Sequence, residues 1–136
     1  MVIDSSALMA ILGGEPEARE FRQLIRTASN RLLSAPSRVE AGIVALSRRG
    51  DAGLEQMQAL IDRLELDVVA LTDEQAALAI DAFRRFGKGR HSAGLNFGDC
   101  FSYALAKATD EPLLFKGDDF AQTDIKRAFT SASSRP

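Results

Sequence analysis

Short apolar runs alternating with longer stretches of helical periodicity predict an α/β fold built on a parallel sheet. Val2-Ile3, Leu32-Leu33, Val68-Val69 and Leu113-Leu114 read as strands, and the segments between them are of helix length. Within those segments apolar residues recur every three to four positions. The expected architecture is therefore a short parallel sheet of four to five strands with helices on both faces. A third observation bears on function: acids from Asp4 to Asp118-Asp119 stand where strands end or helices begin.

Each element has a local cause. Val2-Ile3 is a two-residue strand ended by Asp4, and Ser5 to Leu12 reads as a helix closed by Gly13-Gly14. Glu15-Pro16-Glu17 is expected to open a second helix, with proline in the first turn and acids at the positive end of the dipole. Arg31 to Ala35 reads as the second strand. Pro36 or Ser37 then starts a helix carrying Glu40, Ile43, Val44 and Leu46 that stops at Gly50. Leu54, Met57, Leu60, Ile61 and Leu64 mark a further amphipathic helix over 51 to 65, followed by a third strand at Val68 to Leu71. Thr72-Asp-Glu-Gln75 matches a capping box, and Ala76, Ala79, Ile80 and Phe83 are the expected inner face of the helix it starts. Arg84 to Gly98, with its glycines and basic residues, reads as a loop. Asp99 to Ala108 is helical, and Leu113 to Phe115 is the fourth strand.

The 136 residues fit one domain, taken as 1–129, with a polar, frayed tail at 130–136. Hydrophobic residues at 46% and charged residues at 26% exclude a largely disordered or fibrous chain. The net charge of −2 offers no global attraction to nucleic acid, so such binding would need a local basic patch. The lone Cys100 cannot form an internal disulfide. Met1 runs straight into a core strand, leaving no room for a signal peptide, and no apolar run approaches the roughly 20 residues of a membrane span. A soluble, cytoplasmic protein is the expectation.

Carboxylates at element boundaries can converge in space, and a convergent acidic cluster is how proteins hold hard divalent cations. In an open parallel sheet ligands gather outside the carboxyl ends of the strands. Asp4 and Asp118-Asp119 follow strands, Glu40 lies early in the helix after the second strand, and Asp99 sits in the first turn of the helix before the fourth. Taken singly, Glu40 and Asp99 read first as structural, because Ser37-x-x-Glu40 and Asn96-x-x-Asp99 both have helix-cap spacing. Asp4 closes a core strand, and a buried charge there needs a partner. Asp118-Asp119 could equally form a turn. The conjunction of all four favours a metal site.

Met1-Val-Ile-Asp4-Ser-Ser-Ala-Leu, Ser37-Arg-Val-Glu40, Leu95-Asn-Phe-Gly-Asp99-Cys-Phe-Ser-Tyr-Ala and Leu113-Leu-Phe-Lys-Gly-Asp-Asp119-Phe together resemble the PIN-domain ribonucleases, most closely the VapC toxins of toxin–antitoxin pairs. The resemblance covers about residues 1 to 125. It implies a PIN-like fold, and it implies that Asp4, Glu40 and Asp99 bind Mg²⁺ or Mn²⁺. Asp119 is the better match for a fourth acid, with Asp118 as substitute; Phe115 and Gly117 replace the Thr and first Asp that family members often carry. Ser6 takes the place of a hydroxyl that orients the first carboxylate, and Asn96 that of a supporting or substrate contact. The implied activity is hydrolysis of RNA phosphodiester bonds by in-line attack of a metal-activated water, leaving 5′-phosphate and 3′-hydroxyl ends. The implied partners are RNA, a VapB-type antitoxin and a second copy of the chain.

An acidic site must still attract a polyanion. Arg84, Arg85, Lys88, Arg90 and His91 are candidate RNA contacts, balanced against a solvated helix end, and Arg38 is another. Leu8, Ile11, Leu12 and Phe21 could line an antitoxin groove or be core. Other classes compete. An aspartyl phosphatase would share the opening but needs Asp-x-Asp, where this chain has Ser5-Ser6 after Asp4. A PIN nuclease of RNA processing or DNA would share the acids, and a non-catalytic acidic binding module would use them only as caps.

Overall fold

A computed structural model describes residues 1–129; the expected frayed tail at 130–136 lies outside the described residues. In chain order the elements are β1 (Val2–Ile3), α1 (Ser5–Leu12), α2 (Ala18–Thr27), β2 (Leu32–Ser34), α3 (Ala35–Arg63), β3 (Asp67–Val69), α4 (Asp73–Phe86), α5 (Phe97–Thr109), β4 (Leu113–Leu114) and a 3₁₀ turn at Phe120–Gln122. The four strands pair in parallel in the order β3-β2-β1-β4, with Val2 facing Leu32 on one side and Leu113 on the other. The chain thus winds outward from β1 to β3, then returns to the far side of β1. That reversal opens a crevice at the carboxyl end of β1.

Period-two alternation sorts the strand residues into two cores. Ile3, Leu33 and Leu114 pack with α1, α2 and α3, whereas Val2 and Leu113 pack with α4 and α5. Helices cover both faces, as the alternating pattern predicts. The outer edge of β4 is occupied by the chain end, where the Leu113 N–H donates to Lys126 O at 2.8 Å and the Ala128 N–H donates to Leu113 O at 3.0 Å. Gly50, with φ 64° and ψ −156°, breaks α3 into two segments at the expected helix stop. Such a conformation is open to glycine alone.

Several boundaries and faces differ from expectation. Glu15-Pro16-Glu17 forms a turn before α2 rather than its first turn, closed by the Ala18 N–H on Glu15 O. The helix α3 begins at Ala35 with Ser34 as N-cap, so Ser37-x-x-Glu40 is no capping box; both residues already lie inside the helix. Helix α4 continues through Arg84-Arg85-Phe86, and only the segment after it is loop. Its buried residues are Gln75, Ala79 and Ala82, not the expected stripe that included Ile80 and Phe83. Small side chains let α4 approach α5 closely, which rotates the large ones outward: Ile80 is 71% exposed. Leu8, Ile11 and Phe21 are packed in the core, with Leu12 only partly buried beside them, and of these Phe21 also lines a pocket with Phe115 and Phe129.

Candidate active site

Asp4 ends β1 and caps α1. It is 1% exposed, and its two carboxylate oxygens accept from the Ser6 N–H at 3.0 Å and from the Ser102 hydroxyl at 2.5 Å. The burial expected of a charge at a strand end is therefore compensated by directed donors. Glu40 comes from the second turn of α3, and its Oε1 accepts from the Ser5 hydroxyl at 2.5 Å. Its carboxylate lies against the backbone of α5 at Gly98, where an added Cβ would stand 2.0 Å from Glu40 Oε2. Only glycine leaves room for that approach.

Asp99 follows in the first turn of α5. Its Oδ2 accepts from the Asn96 N–H at 3.0 Å while Asn96 Oδ1 accepts from the Asp99 N–H at 2.9 Å, a complete capping box. Asn96 thus has the helix-cap role and also lines the acid cleft. Burial pushes the Asp99 carboxyl up to about 7; the Asn96 N–H opposes this, and the charges of Asp4, Asp119 and Glu40 add to the rise. The two candidates for a fourth acid lie differently. Asp119 is within electrostatic reach of Asp99, whereas Asp118 lines a separate pocket with Phe21, Phe115 and Phe129.

A cleft of about 310 Å³ collects Asp4, Glu40, Asp99, Ser5, Ser6 and Asn96 with the cations Arg48 and Lys116 at its border. The donors are all hard oxygens, which suits Mg²⁺ or Mn²⁺ rather than a soft metal. Among the described residues, no group of three or more Asp, Glu, His or Cys side chains is placed so that it could hold a metal ion. Asp4, Glu40 and Asp99 each accept from a separate protein donor. Three of the four candidate acids, Asp4, Glu40 and Asp99, share this cleft and carry the oxygen chemistry of a hard-cation site, and neither Asp118 nor Asp119 lines it.

The supporting hydroxyls are distributed differently from expectation. Ser6 holds Asp4 through its backbone N–H, and its side chain accepts from the Lys116 N–H at 3.0 Å, tying α1 to the segment after β4. The hydroxyls on the acids belong to Ser5 and Ser102, which sequence reading passed over. Ser102 repeats one helical turn after Asp99, a spacing that could have signalled it. The basic segment also lies elsewhere. Arg84 pairs with Asp81, Arg85 pairs with Asp124 and Asp81, and Arg90 donates to the Arg84 carbonyl. Lys88 is exposed, and the His91 Nδ1 accepts from the Ala93 N–H at 2.9 Å with its ring edge-on to Phe86. None of these lines the acid cleft, and Arg38 borders a neighbouring apolar groove on α3.

A parallel sheet with a buried acid at the end of its first strand and half-buried acids near two helix starts defines a class of domain. The PIN domain family model matches residues 1–126, and the chain belongs to that family. Within it, the chain groups with the VapC ribonucleases. It is 48% identical over 125 residues to VapC ribonuclease Mb0640 of Mycobacterium bovis and to ribonuclease VapC30 of Mycobacterium tuberculosis, covering 92% of this chain and 95% of each relative. Ribonuclease VapC of Mycolicibacterium smegmatis is likewise 48% identical, over 92% of this chain and 97% of its own. Two solved structures share the fold. One is the Mycobacterium tuberculosis toxin VapC20, described as cleaving the sarcin–ricin loop, with TM-score 0.72 and 15% identity over 91% of this chain and 95% of that one. The other is a toxin–antitoxin complex from Klebsiella pneumoniae, with TM-score 0.65 and 17% identity over 90% and 92%.

Proposed function

We propose that this chain is a metal-dependent endoribonuclease, the toxin of a VapBC-type pair, acting in the cytoplasm on RNA phosphodiester bonds. The observation that carries this is the convergence of Asp4, Glu40 and Asp99 on one cleft, with Asp119 close enough to raise the Asp99 carboxyl. Relatives named as VapC ribonucleases at 48% identity support the substrate class.

Asp4, Glu40, Asp99 and Asp119 would hold Mg²⁺, with Mn²⁺ as the alternative. When bound, such a cation supplies Lewis acidity toward the phosphoryl oxygens and a lowered pKa for the attacking water. The chain's own residues do the rest. Ser102 and the Ser6 N–H fix Asp4, Ser5 fixes Glu40, and Gly98 leaves space for the Glu40 carboxylate beside α5. Arg48 and Lys116, which line the cleft, would meet flanking phosphates, with Lys116 exchanging its ion pairs to Glu15 and Glu17 for the phosphate.

The partner surfaces follow from exposed apolar faces. Val39, Ile43, Leu46 and Leu54 form a groove on α3 directly beside Glu40, Val44 and Arg48 of the cleft. An amphipathic antitoxin segment seated there would end within reach of the acids. Ile80, Phe83, Phe97 and Phe101 form a second apolar face between α4 and α5, with Phe97 79% exposed, and suit a second copy of the chain. No helix among the described residues is long and apolar enough to cross a membrane.

The test is purified protein with total RNA in Mg²⁺, in EDTA, and as the Asp99→Asn variant in Mg²⁺. Discrete fragments are expected only from the unaltered protein with metal. Equal cutting in all three would overturn the proposal.

A further inference from the structure

Beneath the acid cleft runs a chain of buried hydroxyls. Ser102 on α5 is fully buried and donates to Asp4 Oδ1 at 2.5 Å, and Ser37 on α3, 1% exposed, lies 3.0 Å from Ser102, oxygen to oxygen. A hydroxyl has one proton to give. Since Ser102 spends its proton on the carboxylate, Ser37 must be the donor of the second bond, and the chain reads Ser37 to Ser102 to Asp4. Three elements are joined by two hydrogen bonds.

Their register gives this a purpose. Ser37 precedes Glu40 by one helical turn on α3, and Ser102 follows Asp99 by one turn on α5. The serine–serine bond therefore ties the two helices one turn below the level at which they present Glu40 and Asp99. At the same point Ser102 reaches the carboxylate of β1. Deleting the Ser102 hydroxyl leaves one oxygen of a buried carboxylate without its donor.

We infer that Ser37 and Ser102 are positioning residues that fix the segments carrying Asp4, Glu40 and Asp99 relative to one another around the cleft, so that cation affinity depends on a hydroxyl pair that need not touch the ion. The inference rests on the reading of the acids as a metal site. It differs from a purely structural role, which would lower thermal stability and leave the cation affinity of the folded protein unchanged.

The experiment is Mn²⁺ binding, followed by isothermal titration calorimetry and by electron paramagnetic resonance of the free ion, for the full chain and for its Ser102→Ala and Ser37→Ala variants. Circular dichroism melts without metal confirm folding. For folded Ser102→Ala the Mn²⁺ affinity is expected to fall about 10- to 100-fold, the range for loss of a group that orients a metal ligand. Ser37→Ala, which keeps the direct bond to Asp4, is expected to lose affinity by a smaller factor, and it carries the test if Ser102→Ala does not fold. In RNA cleavage at subsaturating Mn²⁺, kcat is expected to fall with KM for RNA unchanged. Folded variants that bind Mn²⁺ as the unaltered protein does would overturn the inference alone. An unaltered protein that binds no Mn²⁺ would overturn both the inference and the metal reading.

Discussion

Two acidic clusters in this molecule use the same side chains to opposite ends. In the cleft, Asp99 stands with Asp4 and Glu40, and burial together with their charges and that of Asp119 outside the cleft lifts its carboxyl to about 7. Around the ends of α4 and α5, Asp124 meets Arg85, Lys107 and the Tyr103 hydroxyl, and Asp81 meets Arg84 and Arg85. Burial works against ionisation of Asp124, but hydrogen bonds from Tyr103, Lys107 and Arg85 outweigh it and hold the carboxyl at about 2. One cluster is neutralised from within by cations of the chain. The other gathers negative charge at a cleft, a stability cost that makes sense if a cation from outside completes it.

The contrast is sharpest in activity. Asp99→Asn exchanges a carboxylate oxygen of the cleft for an amide nitrogen and removes its ionisable charge, and RNA cleavage should fall on the order of a thousand-fold, the scale for losing a group that stabilises charge in the transition state. Asp124→Asn should leave cleavage within about twofold, since the group is remote from the proposed chemistry. A fluorogenic RNA assay on both variants separates the clusters; similar losses in the two would erase the distinction.

A smaller effect is expected at Gly98. A methyl group there meets the end of the flexible Glu40 side chain, so the fold can yield by moving the carboxylate. Gly98→Ala should melt near the unaltered protein while kcat drops about 100-fold, as for a catalytic group displaced by about 1 Å. A large fall in melting temperature would instead mean that the backbone, not Glu40, gives way.

Stability against pH should run in opposite directions for the two clusters. Asp99 binds a proton in the folded state at a pH where the unfolded chain has released it, so its contribution falls as pH rises from about 4 to 7. In EDTA, Asp99→Asn should therefore melt higher than the unaltered protein at pH 8, with the gap closing below pH 4. The lowered Asp124 carboxyl contributes stability above about pH 4 that is lost as pH falls toward 2. Because Asp124 is 41% exposed, screening limits the loss in Asp124→Asn to about 0.5 kcal/mol at neutral pH, read by urea denaturation.

Much of this was legible from residues alone, for identifiable reasons. Asp4, Glu40 and Asp99 stand near strand ends and helix starts, points that a parallel sheet brings together, and these three share one cleft, whereas Asp118 and Asp119 do not line it. Gly50 was readable because only glycine tolerates that backbone, and the Asn96–Asp99 cap because its spacing is local. The inner face of α4 was not readable. Hydrophobic periodicity ranks residues by apolar size, while close helix packing here selects Ala79 and Ala82 and turns Ile80 and Phe83 outward. The hydroxyl support was equally hidden. Only Ser102 carries a local hint, one helical turn after Asp99; Ser5 and Ser37 carry none, and the partners of all three lie 35 to 98 residues away in the chain.

The central claim is that carboxylates from four separate segments close on one divalent ion. Crystals equilibrated with Mn²⁺ and measured at the manganese absorption edge test it directly. The account predicts an anomalous peak in the cleft, about 2.0–2.2 Å from oxygens of Asp4 and Asp99, with Glu40 and Asp119 in contact directly or through water. A fully occupied crystal lattice with no manganese at that position would contradict it.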